Sequence, residues 1–243
     1  MRAVILAGGK GTRLAPLTEV IPKPLVPLGG KPIMELVIRQ LQNCGFRRIT
    51  LAVGYLADLI QAYFQDGSRW GVQLDYSRET EPLGTAGPLA LIGGLNETFL
   101  VMNAYILTDL DYCELVRFHQ SQGSLATIGA YQRTVSIDLG VIVKDGDGYR
   151  VRDYQEKPQS THLVSMGVYI FEPQVLAYIG GRGHLDFPDL VKILLEAGQR
   201  VNYYPFDGYW LDIGRHEDYS RAVGDYEGLF GGGGRETEVW QGS

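Results

Sequence analysis

Apolar segments of two kinds alternate along the first half of the chain. Short, continuous apolar runs, typical of buried strands, occur at 3–7, 49–53, 72–76 and 99–102. Stretches with an apolar residue every three or four positions, typical of amphipathic helices, occur at 32–43, 56–64, 85–92 and 112–122. Strands that alternate with helices predict a parallel sheet with helical crossovers.

The pattern changes after residue 122. Strand-like runs follow one another with little helix between them, at 125–131, 141–143, 149–154 and 165–171. The Asp-Gly-Asp-Gly segment at 145–148 is a hairpin signal. A helix at 189–197, a strand at 201–205 and a helix at 216–224 then complete the series. The prediction is an α/β fold with a doubly wound, mostly parallel (Rossmann-like) sheet and a smaller, more antiparallel subregion.

A length of 243 residues fits one large α/β domain or two small ones. We expect a single domain over 1–228, with one half at about 1–122 and the other at about 123–228. The glycine run and polar residues that follow predict a flexible tail over 229–243.

Composition excludes several classes of protein. A net charge of −6 argues against nucleic-acid binding, which usually needs a basic face. No apolar run approaches the roughly 20 residues that span a bilayer, and the first apolar stretch is too short for a secretory signal. The two cysteines, Cys44 and Cys113, fall in helical apolar patterns, so we expect reduced core residues in a cytoplasmic protein and no zinc site.

The first strand runs into a loop of small residues that contains Gly8, Gly9 and Gly11. Backbone N–H groups of such a loop can approach an anion closely, because no Cβ blocks the way. Arg13 and Lys23 can neutralise phosphate oxygens, which predicts a phosphate site. The alternative is a tight turn with two solvated basic side chains. The loop fits neither the Walker pattern nor the dinucleotide fingerprint, whose last glycine is replaced by leucine.

Seven segments together resemble the signature of the sugar-1-phosphate nucleotidyltransferases, in the order that this family shows. They are LAGGKGTRL at 6–14, PKPLVP at 22–27, GKP at 30–32, EPLGTAGPL at 81–89, LTDLD at 107–111, EKP at 156–158 and WLDIG at 210–214. The resemblance covers roughly residues 1–225 and is greatest for the branch that uses GTP and mannose 1-phosphate. It implies transfer of a nucleotidyl group from an NTP to a sugar 1-phosphate, with release of pyrophosphate and with Mg²⁺ as cofactor.

The resemblance also implies roles for individual residues. Nucleotide contacts would come from Leu6, Ala7, Gly8, Gly9, Gly11, Thr12, Arg13, Gly84, Thr85, Ala86 and Asn103. The sugar phosphate would contact Lys23, Gly140, Glu156, Lys157 and Gly167. Arg13, Lys23 and Asp212 would act in catalysis, and Asp212 would bind the metal ion. Structural alternatives are a solvated Lys23, a surface pair at Glu156–Lys157, a turn aspartate at 212, and Thr85 as the N-cap of the helix predicted at 85–92.

One motif departs from the family pattern at the position of the second metal ligand. The family has Asn-Gly-Asp where this chain has Asn103-Ala104-Tyr105. A neutral phenol is a poor Mg²⁺ ligand, and Ala104 adds a Cβ where we expect the chain to approach the nucleotide. Asp109 and Asp111 lie beyond the strand end and are not expected to substitute. Either the chain is catalytically impaired, or Asp212 alone holds Mg²⁺ together with substrate phosphates.

A second departure lies on the sugar side, where Met166 precedes Gly167 and the family often has asparagine before this glycine. The leading hypothesis remains an impaired GTP-dependent nucleotidyltransferase. The alternatives are a uridylyl-, thymidylyl- or adenylyltransferase of the same family, and a non-catalytic protein that binds a nucleotide or nucleotide sugar. The expected partners are an NTP and a sugar 1-phosphate, with neither nucleic acid nor membrane. A homo-oligomer is compatible with the sequence, and a C-terminal β-helix is not expected.

Overall fold

The computed structural model describes residues 1–230, which form thirteen strands and five α-helices. Strands β1 to β13 span, in order, Arg2–Ala7, Pro27–Leu28, Lys31–Pro32, Arg48–Val53, Gln73–Arg78, Phe99–Asn103, Ile106–Thr108, Ala126–Ser136, Gly140–Lys144, Val151–Glu156, Gln159–Phe171, Val201–Phe206 and Trp210–Asp212. Helices α1 to α5 span Ile33–Asn43, Ala57–Phe64, Tyr112–Gln122, Phe187–Glu196 and His216–Phe230. None of these helices has the length and apolar character needed to cross a membrane.

Seven strands form the central sheet in the order β12-β8-β11-β6-β1-β4-β5. Strand β11 runs antiparallel to both of its neighbours, β8 and β6. The other neighbouring pairs in the sheet, which are β12–β8, β6–β1, β1–β4 and β4–β5, are all parallel. The predicted α/β class with a mostly parallel sheet is therefore confirmed. No β-helix occurs within residues 1–230.

Alternation along β1 divides the interior into two cores on opposite faces of the sheet. Ala3 and Ile5 pack on one face with α1, α2 and α3, and Val4 and Leu6 pack on the other with α4. A strand buried on both faces reads as a continuous apolar run, which is the pattern of 3–7. Helices on both faces make the sheet doubly wound, as predicted.

Helix α3 begins and ends where local chemistry predicts. The side chain of Asp111 accepts hydrogen bonds from the backbone N–H groups of Cys113 and Glu114, and Gly123 ends the helix in the left-handed conformation. An aspartate N-cap and a terminal glycine are strong boundary signals. The helix accordingly occupies the range 112–122 that the periodicity predicts.

The helix predicted at 85–92 is wrong. Only a short 3₁₀ turn forms there, over Gly87–Leu91, and no side chain caps it. The hydroxyl of Thr85 instead donates to Asp186 and accepts from the N–H of Phe187, so it supports the start of α4. The cause is tertiary, because the backbone N–H groups of Ala86 and Gly87 both bond to the carbonyl of Leu185.

The more antiparallel subregion predicted for the second half is present. Strands β8 and β11 continue together past the sheet, with Gln159 paired to Ser136, and β9 and β10 form a separate hairpin. The turn of this hairpin lies at 145–150, where Asp145 N–H bonds to the carbonyl of Arg150. Most side chains of this hairpin are exposed.

A third, smaller core lies beside the sheet and was not predicted. Strands β7 and β13 pair antiparallel, and their leucines Leu107 and Leu211 pack with Val26, Ile213 and Ala222. Strands of three residues are too short to give a recognisable apolar pattern. Helix α5 extends to Phe230, and residues 231–243, the larger part of the predicted tail, lie outside the described residues.

The two cysteines differ from the expectation of core positions. Cys44 lies directly after α1 and Cys113 lies in the first turn of α3, and both are free thiols that are only partly buried. The Sγ of Cys113 is 3.2 Å from the carbonyl oxygen of Cys44, so the fold brings the two residues together. Each falls at a helix end, where the helical pattern no longer determines burial.

The packing of the 3₁₀ turn predicts the effect of a single methyl group. A Cβ added to Gly87 would lie 2.7 Å from the carbonyl oxygen of Gly183, whereas a Cβ on Gly93 would meet nothing within 4 Å. Gly87→Ala should lower the free energy of unfolding by about 1–3 kcal/mol because of overpacking. The matched control Gly93→Ala should change it by less than about 0.5 kcal/mol. Urea unfolding measures both, and equal effects would contradict the close packing.

Candidate active site

A cleft of about 790 Å³ opens at the carboxyl ends of the parallel strands. Ligands of doubly wound sheets bind at this edge. Seven of the residues singled out in the sequence line the cleft, namely Leu6, Gly8, Gly9, Gly84, Thr85, Asn103 and Tyr105. The structure therefore brings together motifs that are about 100 residues apart in the chain.

The glycine-rich loop after β1 is held by local hydrogen bonds. Gly11 has a φ of +66°, a left-handed conformation that favours glycine. Its carbonyl accepts hydrogen bonds from the N–H of Leu14 and from the hydroxyl of Thr18. These bonds fix the loop. A Cβ placed on Gly9 would meet no heavy atom within 4 Å, so the space beside this glycine is open.

Ala104 does not approach the cleft as the sequence analysis expected. Its N–H bonds to the carbonyl of Leu6, which continues the contact between β6 and β1, and its methyl group is fully buried in the core. The expectation that its Cβ crowds the nucleotide is therefore wrong. Asn103 and Tyr105, on either side of Ala104, line the cleft.

Lys23 and Tyr105 form the centre of a charged cluster beside the phosphate loop. The Lys23 ammonium nitrogen lies 2.9 Å from the centroid of the Tyr105 ring, in a cation–π contact. Lys23 begins a 3₁₀ turn after Pro22, and only 5 % of its surface is exposed. The interpretation of Lys23 as a solvated residue is therefore wrong. Arg13 lies close enough for its charge to act on Lys23, Tyr105 and Asp212.

Burial dominates the electrostatics of this cluster. Burial lowers the pKa of Lys23 to about 7, although the nearby charge of Asp212 opposes this shift. The pKa of Tyr105 is raised to about 12, first by burial and then by Asp212, so the phenol is protonated at neutral pH. Burial also raises the pKa of Asp212, while Lys23 and Arg13 act in the opposite direction.

Asp212 is positioned by the pairing of two short strands. It lies opposite Ile106 in the β13–β7 pair, and the N–H of Ile213 bonds to the carbonyl of Tyr105. The Oδ1 atom of Asp212 is buried and has no hydrogen-bond partner among the described residues. A buried carboxylate oxygen without a partner is costly, and a cation would satisfy it.

The other two aspartates of this region, which were not expected to replace the missing metal ligand, bond to the backbone. Asp109 accepts from the N–H of Tyr209 and donates its own N–H to the carbonyl of the same residue. Asp111 caps α3. Neither residue lines the cleft.

The loop at 83–87 is held against the segment at 183–187 by backbone hydrogen bonds. Gly84 has a φ of +78°, and a Cβ there would lie 2.6 Å from the carbonyl oxygen of Leu185. Glycine is thus required for loop packing, in addition to any role in letting a nucleobase approach. Ala86 is fully buried and does not line the cleft, whereas Thr85 does.

The carboxylate of Glu79 lines the cleft and was not predicted from the sequence. Glu79 lies just after β5, its Oε2 accepts from the N–H of Leu83, and its carboxylate fits against Gly8 and Gly54. The other lining residues that were missed are Lys10, Ala52, Gly54, Tyr55, Arg78, Thr80, Glu81, Pro82, Pro88, His184 and Asp186. The position of Glu79 after a strand of the parallel sheet was the available signal.

The predicted sugar-side residues fall into two groups. Gly167, with a φ of +73°, lies against the side chain of Asn103, so it adjoins the cleft. Gly140 pairs with Glu156 in the β9–β10 hairpin, and the Tyr154 ring fills the space beside it. Gly140, Glu156 and Lys157 do not line the cleft, and the last two are exposed. Their contacts with a sugar phosphate stay a prediction.

Met166, where the chain departs from the family pattern on the sugar side, is hydrogen-bonded to the strand that carries Asp212. Met166 is fully buried in the core, and its carbonyl accepts a hydrogen bond from the Trp210 indole. This bond ties β11 to β13, the strand that carries Asp212. Met166 therefore contributes to the frame of the site through its backbone.

A doubly wound sheet with a glycine-lined cleft at the carboxyl ends of its parallel strands is the architecture of many nucleotide-binding α/β proteins. The chain belongs to the nucleotidyl transferase family, whose model matches residues 2–228. The resemblance recognised in the sequence is thereby confirmed.

Several characterised proteins are similar to the chain. It is 39 % identical to a UTP–glucose-1-phosphate uridylyltransferase of Synechocystis, over 92 % of this chain and 62 % of that one. It is 37 % identical to the mannose-1-phosphate guanylyltransferase catalytic subunit beta of Danio rerio, over 90 % and 62 %. The chain thus spans less than two thirds of the length of these relatives. The structure of HddC from Yersinia pseudotuberculosis complexed with GMP-PN matches with a TM-score of 0.70 and 28 % identity, over 93 % and 99 % of the two chains.

The burial of Lys23 predicts a pH dependence of stability. Its pKa is about 7 in the folded protein and near the ordinary value of 10.5 in the unfolded chain, which therefore binds more protons between these values. The free energy of unfolding should gain a positive contribution as pH rises from about 7 towards 10. Lys23→Met should remove this contribution, and Lys10→Met, at an exposed position, should not. Urea unfolding at several pH values measures the slopes, and equal slopes in all three proteins would refute the effect.

Proposed function

We propose that the chain transfers a nucleotidyl group from an NTP, with GTP favoured, to a sugar 1-phosphate of the mannose 1-phosphate type. The observation that carries this proposal is the convergence of Arg13, Lys23 and Asp212 beside the glycine-lined cleft. In this proposal the half over 1–122 holds the nucleotide, and the half over 123–228 contributes the sugar side. The name of the guanylyltransferase relative supports the choice of sugar.

The proposed reaction places its main demand on charge neutralisation. An oxygen of the sugar phosphate forms a bond to the α-phosphorus, and the bond to the β-bridging oxygen breaks, so that pyrophosphate leaves with the electron pair. Attacking and leaving groups are both anionic, which makes positive charge and positioning more useful than an acid or base. Arg13, exposed at the phosphate loop, would hold the leaving pyrophosphate as a fork. Lys23 would lie at the reacting phosphates.

The residues at the metal position fit Mg²⁺ in part. The partnerless Oδ1 of Asp212 suits a cation, whereas the protonated phenol of Tyr105 does not. Bound Mg²⁺ would neutralise phosphate charge, and it commonly keeps several waters and only one or two carboxylates. Asp212 would be its ligand in this chain.

We expect impaired turnover, because Tyr105 stands in place of one of the two carboxylates expected at the metal position. The cleft, the phosphate loop and the basic side chains support nucleotide binding, while one carboxylate of the expected pair is missing. Loss of an outer-shell metal partner alone costs roughly 10–100-fold in affinity or activity, and loss of a direct ligand should cost at least as much.

Restoring the carboxylate tests this interpretation. Tyr105→Asp should raise Mg²⁺-dependent pyrophosphate release from GTP and mannose 1-phosphate by at least about 10-fold. The control Tyr105→Phe keeps the ring over Lys23 without adding an acid and should show no increase. Thermal melting with and without Mg²⁺ checks that both variants fold. Turnover of the parent chain equal to that of Tyr105→Asp would show that Asp212 with the phosphates suffices.

Glu79 supports a guanine base in the cleft. Its carboxylate is half-buried, and the N1–H and exocyclic amino group of guanine are hydrogen-bond donors that a carboxylate would accept. Adenine and uracil do not present this pair of adjacent donors. The HddC structure, which is complexed with GMP-PN, gives independent support for a guanine nucleotide.

If Glu79 binds the guanine base, removal of its negative charge should weaken GTP binding. Glu79→Gln keeps an acceptor for the Leu83 N–H but loses the charge, so GTP affinity should fall by about 10-fold, as for a hydrogen bond to a charged group. ITP lacks the exocyclic amino group, and its affinity should fall less. Calorimetric titration with GTP, ITP and UTP measures these ratios. An unchanged GTP-to-ITP ratio would exclude Glu79 as the reader of the amino group.

A second candidate function, favoured by the same Tyr105, is a non-catalytic protein that binds a nucleotide or nucleotide sugar. GTP binding without pyrophosphate release, in both the parent chain and Tyr105→Asp, would favour this candidate and sink the transferase proposal. Turnover with UTP, dTTP or ATP in place of GTP would instead indicate another branch of the family, as the uridylyltransferase relative allows. A homo-oligomer and a cytoplasmic location stay predictions.

A further inference from the structure

A cluster of metal-ligating side chains lies outside the cleft, where the end of α1 meets the start of α3. Cys44, Asp111 and Cys113 each present one ligand atom, and these atoms all lie within 4.8 Å of one another. None of the three lines the cleft. This placement differs from the expectation of no zinc site, which rested on there being only two cysteines and four scattered histidines.

The spacing of the ligand atoms suits a small tetrahedral ion. The Sγ of Cys44 lies 3.7 Å from the Oδ1 of Asp111. Around zinc, with bonds to sulfur of about 2.3 Å and to oxygen of about 2.0 Å, neighbouring ligand atoms lie roughly 3.5–3.8 Å apart. The Cys44–Asp111 pair is therefore within about 0.2 Å of the sulfur–oxygen separation around zinc, and the Sγ of Cys113 lies within 4.8 Å of both atoms.

Burial raises the pKa of the Cys44 thiol to about 11, so a cation would bind here only by displacing the thiol proton. Cys113 lies in the first turn of α3, at the positive end of the helix dipole. The dipole alone would repel a cation, but two thiolates and one carboxylate together carry three negative charges. Asp111 is exposed and Cys44 is half-buried, so an ion has a path from solvent and room for a water ligand.

An unpartnered buried group lies between two of the ligands in the chain. The hydroxyl of Tyr112, the residue between Asp111 and Cys113, is fully buried and has no hydrogen-bond partner within residues 1–230.

We propose that Cys44, Asp111 and Cys113 form a binding site for a borderline-soft divalent cation of the zinc type, with water in the fourth position. Soft thiolate ligands select zinc over magnesium, so this site is chemically distinct from the oxygen-ligand position at Asp212. The ion would join the end of α1 to the start of α3. The proposal does not depend on the nucleotidyl transfer proposed for the cleft.

The test uses the full chain, reduced with a phosphine, freed of metal and titrated with Co²⁺ as a spectroscopic probe. We expect one Co²⁺ per chain with a thiolate-to-cobalt charge-transfer band in the near ultraviolet, and displacement of this band by Zn²⁺. Co²⁺ held by carboxylate and phosphate oxygens at Asp212 would lack the band, so the readout separates the two positions.

Variants of the ligands sharpen the test. Cys44→Ser and Cys113→Ser should each abolish or strongly weaken the band. Asp111→Asn keeps the N-cap, because asparagine caps as well as aspartate, yet should weaken Co²⁺ binding at least about 10-fold. Glu114→Gln, which removes a neighbouring acid outside the cluster, should bind like the parent chain.

Two results would overturn the proposal. One is the absence of the charge-transfer band when the reduced parent chain is titrated with Co²⁺. The other is a band that survives in both cysteine variants. Metal-free thermal melts of each variant distinguish loss of the site from loss of the fold.

Discussion

Burial of the Lys23 ammonium group is the constraint on which the candidate site depends. A charge moved out of water loses hydration, and the contact with the Tyr105 ring face and the attraction to Asp212 offset that cost only in part. The lowered pKa of Lys23 shows that burial outweighs these contacts. An anionic ligand would supply the missing negative charge, which is why the proposed function places phosphate beside this cluster.

The fold holds this cluster from three sides with backbone hydrogen bonds. The Ala104 N–H bonds to Leu6, Ile213 N–H bonds to Tyr105, and the β13–β7 pair sets the position of Asp212. Backbone contacts of this kind depend little on side-chain identity. A tyrosine can therefore replace the family's aspartate without altering the frame around it, so the change reaches the chemistry of the site while the architecture stays that of the family.

Particular elements show why some predictions succeeded and others failed. The helix at 112–122 was predicted correctly because its cap, periodicity and terminal glycine are all local. The helix at 85–92 was wrong because hydrogen bonds to Leu185, a hundred residues away, hold that loop. The motifs identified Gly8 and Gly9, which line the cleft, whereas Glu79 was missed because it belongs to no motif and only its position after β5 marks it.

The sequence by itself determined most of the alternation of strands and helices, the family, the glycine-rich loop after β1 and the tyrosine at position 105, because these depend on residue types at fixed spacing. Only the tertiary structure decided which side chains are buried and which of them meet. It placed the Lys23 ammonium over the Tyr105 ring, sent the Ala104 methyl group into the core, and brought Cys44 to Cys113. Burial and long-range contact depend on how separate segments pack, and no local pattern encodes that packing.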